Sequence, residues 1–94
     1  FIVGDEITGN HYDVSHVTDF IISNDSDYHQ KTFASNLRDY RIIKWYLQVN
    51  VTVDNGYNFS DIEAPSYIIS QKKLSLDNYS EIYSYRSYHL YYLN

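Results

Sequence analysis

The sequence predicts a mainly β fold, with α+β as its alternative: a small antiparallel sheet carrying at most one short helix near residues 27–40. Three observations support this. Residues Ile43 to Val53 alternate apolar and polar with period two. Two later runs, Tyr67 to Leu76 and Glu81 to Leu93, are rich in aromatic and β-branched or aliphatic residues that suit a pleated surface. Turn-forming clusters separate the three runs: Asp54-Asn55-Gly56, Pro65 and Asp77-Asn78.

The 94 residues make one domain, 1–94, with a modest core. At the N-terminus, Phe1-Ile2-Val3 and Val17 to Ser23 read as short strands. Ser26 or Asp27 is placed to cap a helix over residues 28–39. Phe33, Leu37 and Tyr40 would then share its apolar side. An irregular loop or another short strand is the competing reading of that segment.

The run from Ile43 to Val53 reads as a strand. Ile43, Trp45, Leu47, Val49, Val51 and Val53 would lie on its inner face, with Lys44, Tyr46, Gln48, Asn50 and Thr52 opposite. The run from Tyr67 to Leu76 is weakened by Gln71-Lys72-Lys73, which reads as a hairpin bend or an edge strand. Read as one strand, the last run puts Ile82, Tyr88, Leu90 and Tyr92 on its core side. Tyr83, Tyr85, His89 and Tyr91 fall on the other.

Twelve tyrosines are present, and six of them, Tyr79, Tyr83, Tyr85, Tyr88, Tyr91 and Tyr92, lie in one short stretch. Tyrosine combines a large apolar face, a hydroxyl and few rotatable bonds, which suits recognition. The bland alternative is cross-strand packing. For the cluster, Tyr83, Tyr85, His89 and Tyr91 are the expected binding residues. A protein is the first expected partner and a glycan the second, with self-association a further option.

Composition restricts the function classes. The net charge is −5, and residues 1–30 hold six carboxylates with no lysine or arginine. Direct binding to nucleic-acid phosphates is not expected of such a chain. With no cysteine there is no disulfide, thiolate metal site or cysteine nucleophile. Three scattered glycines, Gly4, Gly9 and Gly56, make no phosphate cradle, and no catalytic motif is present. The histidine spacings and Asn24-Asp25-Ser26-Asp27 do not make a metal site. No catalytic residue, metal or cofactor is therefore expected, and no run is long enough to span a bilayer.

Two sequence features bear on location. The chain starts at Phe1 and lacks methionine, and it carries four Asn-x-Ser/Thr sequons at Asn24, Asn50, Asn58 and Asn78. Together they give the expectation of a secreted or surface-exposed, non-catalytic binding domain. The alternatives are an intracellular acidic inhibitor or adaptor covering a basic target surface, of the kind viruses and phages use, and a fragment of a larger structural protein. No family signature is complete. Gln48-Val49-Asn50-Val51-Thr52 departs from the Gln-x-Val-x-Gly hairpin of cystatins at its third and fifth positions.

Overall fold

Among the described residues, a five-stranded sheet carries two helices on one face in the computed structural model. The structure describes residues 2–37, 40–53 and 65–94, with the backbone alone for residues 2–11. The β-rich core expected from the sequence is present, in its α+β form. The sheet is mixed, with strand order β2-β1-β3-β5-β4.

Helix α1 spans Ile2–Asn24. Val14, Val17, Thr18 and Ile21 are all buried, and their spacing of three and four makes one helix stripe. That stripe replaces the expected strand at Val17 to Ser23, and Ile2-Val3 also lies within α1. Phe1 is outside the described residues. The helix ends where the Asn24 amide turns back to donate to the Phe20 carbonyl at 2.8 Å. Asp25 then folds the chain, its carboxylate accepting the Asp27 N–H at 3.0 Å.

Over its described residues, up to residue 37, the helix expected near residues 27–40 is not formed. A single 3₁₀ turn, Tyr28–Gln30, leads into β1, Phe33–Ser35. Phe33, Ala34 and Ser35 are all buried, because β1 is the central parallel strand between β2, Val51–Val53, and β3, Tyr67–Ser70. The competing short-strand reading of this segment is the one that holds.

The expected strand from Ile43 to Val53 is also corrected. Its first part is helix α2, Arg41–Leu47, and only Val51–Val53 is strand. Ile42, Ile43 and Leu47 turn inward while Trp45 remains 66% exposed. Burial on a helical stripe overrides the local β preference. Gln48 ends α2 in the left-handed region, φ 58°, and its N–H donates to the Lys44 carbonyl at 2.8 Å. The turn expected at Asp54-Asn55-Gly56 lies outside the described residues.

Strand β3 runs antiparallel to β5, Tyr88–Leu93, and β4, Tyr79–Tyr85, lies at the sheet edge beyond it. The expected antiparallel sheet therefore holds only for β3, β4 and β5. The main core joins α1 and α2 to Phe33, Tyr67, Ile69, Tyr88 and Leu90. On the opposite face, Leu74, Leu76 and Tyr79 pack against Ala34, Ile68 and Tyr91. The segment between β3 and β4 therefore folds across the sheet instead of continuing β3.

Candidate functional site

The expected binding residues do not share one face. Arg86 and Ser87 form a two-residue turn, so Tyr85 pairs with Tyr88 and Tyr83 with Leu90. Residues paired across a hairpin point to the same side. Tyr83 and Tyr85 therefore side with buried Tyr88 and Leu90 toward α1, while His89 and Tyr91 point the other way. A register irregularity between Glu81 and Tyr83 shifts the first part of β4 by one residue.

On the α1 side, Tyr85 joins an aromatic cap. The His16 ring stacks on it at 3.8 Å and 9°. Tyr12, one helical turn before His16, meets His16 edge-on at 4.6 Å and Tyr85 at 6.2 Å. The Arg86 guanidinium lies 5.5 Å from the Tyr85 ring centre, with its Nε 3.8 Å from the Asp13 carboxylate. Tyr12 is 53% exposed and the Arg86 side chain 66%. The neighbouring Tyr85 hydroxyl raises the Tyr12 phenol above its ordinary pKa. Tyr83, further down the strand, stacks on Phe20 at 4.5 Å and 18°.

Arg86 has φ 56°, a left-handed conformation that ordinarily favours glycine or asparagine. An arginine in this conformation costs about 1 kcal/mol. The turn thus carries a long cationic side chain at a position better suited to glycine.

On the other sheet face, Tyr91 is buried. Its hydroxyl accepts the Leu74 N–H at 2.7 Å, anchoring the segment that crosses the sheet. His89 Nδ1 lies 2.9 Å from Glu81 Oε2, and Lys73 Nζ lies 3.3 Å from the other oxygen of the same carboxylate. The hydrogen bond with His89, aided by Lys73, holds the Glu81 carboxyl below its ordinary range despite partial burial. Here both expected residues have structural work.

A second polar cluster links α1 to the sheet. Asp25 Oδ2 accepts from Lys31 Nζ at 2.6 Å and from the Tyr67 hydroxyl at 2.7 Å. Burial opposes ionisation of Asp25, but these bonds outweigh it and lower its pKa. The Asp25 bond raises the Lys31 pKa. Burial, then Asp25, raises that of Tyr67. Lys31 also sits 5.1 Å from the Tyr92 ring centre.

Three of the four sequon asparagines are described, and all three are exposed: Asn24 at the end of α1, Asn50 before β2 and Asn78 in the turn before β4. Asn50 was expected on a strand face and lies in a connection. Asn58 lies outside the described residues. Among the described residues, no three His, Cys, Asp or Glu side chains gather as a metal site. No described helix is long and apolar enough to cross a membrane.

Sequence reasoning missed Tyr12, His16, Asp13 and Arg86. The spacing of four between Tyr12 and His16 becomes informative once α1 is recognised as a helix. Comparison with family models, curated proteins and solved structures finds no match for the chain.

Proposed function

We propose that this chain is a small, non-catalytic binding domain that recognises a protein partner through the cap of Tyr12, His16, Tyr85 and Arg86. The observation that carries this reading is the pairing of exposed Tyr12 and Arg86 around a packed His16–Tyr85 stack. Tyrosine and arginine are, with tryptophan, the residue types enriched where protein interfaces concentrate their binding energy. The stack fixes the rings before a partner arrives, which lowers the entropy cost of contact. The left-handed turn supports the same reading, because strained backbone tends to occur at functional positions.

A secreted or surface setting belongs to this reading, supported by the exposure of Asn24, Asn50 and Asn78. Intact mass of the native protein tests that part, with glycan mass expected on at least one of the three.

For the cap, proteins captured from the native source are compared between the wild type and the Tyr12→Ala/Arg86→Ala variant. The expected result is a partner retained by the wild type, including at high salt, and lost by the folded variant. A captured set unchanged by both substitutions overturns the reading. Capture that survives the substitutions but disappears with salt favours the acidic-inhibitor alternative.

A further inference from the structure

Charge is segregated along this acidic chain. Residues 28–53 hold Lys31, Arg38, Arg41 and Lys44 against the single acid Asp39, a net of +3 within a protein of net −5. Residues of this same segment line a cleft of about 550 Å³ at the N-terminal ends of β1 and β2. His29, Lys31, Lys44 and Asn50 contribute polar groups to its wall, and Phe33 and Val49 contribute apolar surface. Among the described residues, no aspartate or glutamate lines it.

We propose that this cleft binds a small organic phosphate monoester. The donors suit a tetrahedral oxyanion. Lys44 is exposed and makes no ion pair among the described residues. Lys31 donates to Asp25 and is also drawn to the Tyr92 hydroxyl, which leaves one of its three ammonium N–H donors. The Thr32 hydroxyl, also in the wall, accepts the Ser66 N–H at 2.9 Å, so its own proton remains available to donate. Lysines act as point charges toward phosphate, whereas planar carboxylates are matched best by arginine forks. The volume exceeds that of a bare phosphate and falls in the range of small-molecule sites, which leaves Val49 and Phe33 to meet an organic portion. A basic cleft on an otherwise acidic molecule also concentrates anions locally.

The cleft is separate from the aromatic cap. Register pairs Ser70 with His89 and Tyr67 with Tyr92, so the Arg86 turn lies at the opposite end of the sheet. The two sites therefore stand or fall independently.

The test is an amide NMR titration of the whole chain with phenyl phosphate, inorganic phosphate and phenol. Phenyl phosphate is expected to shift His29, Thr32, Lys44 and Asn50 along one saturable curve, more tightly than inorganic phosphate, with no response to phenol. Lys44→Gln is expected to weaken binding about tenfold. Lys72→Gln removes the same charge elsewhere and is expected to leave it unchanged. Linear, unsaturated shifts, or equal losses in the two folded variants, overturn the proposal.

Discussion

The imidazole of His16 lies face to face with the phenol of Tyr85, 3.8 Å between ring centres and 9° from parallel. This contact joins the first helix to the turn of the last hairpin. Two exposed groups, Tyr12 and Arg86, contact this aromatic pair.

The turn itself gives the first prediction. Arg86→Gly relieves the left-handed backbone and also removes the cation over Tyr85. The contact with Asp13 is long, 3.8 Å, and open to solvent on the arginine side, so it contributes little and the variant should gain about 0.5 kcal/mol of stability. Partner capture should fall in the same variant. Urea unfolding midpoints measure the first effect, and a loss of stability would mean that the Arg86 contacts outweigh the strain.

Leu90 lies fully buried in the main core between the helices and the sheet. Leu90→Ala should destabilise the fold by about 3 kcal/mol, from lost burial and the cavity left behind. Chemical denaturation of the variant checks this value.

Phe20 and Tyr83 stack at 4.5 Å. A double-mutant cycle to alanine should return a coupling of about 1 kcal/mol, beyond the area each ring buries. Additive losses would show that the rings act independently.

Tyr91→Phe removes the hydroxyl that accepts the Leu74 N–H on the buried side of the crossing segment. The expected cost is about 1–2 kcal/mol. Hydrogen exchange should rise first at Leu74, ahead of β3 and β5.

Asp25 gives a pH dependence. Its carboxyl is held below the ordinary range by Lys31 and Tyr67 against the opposing effect of burial. Such a group stabilises the fold above its unfolded-state value of about 3.9, and the contribution is lost as pH falls through the lower folded-state value. Asp25→Asn should therefore reduce stability at neutral pH, and the gap from wild type should close in acid. Thermal unfolding at neutral and strongly acid pH measures that gap.

The sheet's C-terminal half was legible because Tyr67 to Ile69 and the tyrosine run combine aromatic and β-branched residues. Helix α1 was not, because its core stripe includes the polar Thr18 and its N-terminal half contains Gly4 and Gly9. Residues 43–53 misled for the opposite reason. Their alternation is regular, yet Ile42, Ile43 and Leu47 find burial as a helical stripe. The binding residues were separated by a turn that the sequence does not announce. Arg86-Ser87 lacks the glycine or asparagine of common hairpin turns, and the two-residue reversal exchanges odd and even positions between β4 and β5.

The strand order also constrains the order of events during synthesis. Helix α1 emerges first, yet it rests on β4 and β5, which emerge last. Its apolar stripe stays unburied against the sheet until residues 79–93 have left the ribosome. Strand β1 likewise waits for its parallel neighbour β3 to arrive from 34 positions downstream. Non-local pairing of this kind slows folding and prolongs exposure of apolar surface. The nascent chain therefore reaches its native packing only after the β4–β5 hairpin has emerged, and until then Val14, Val17 and Ile21 lack the sheet that covers them in the native fold.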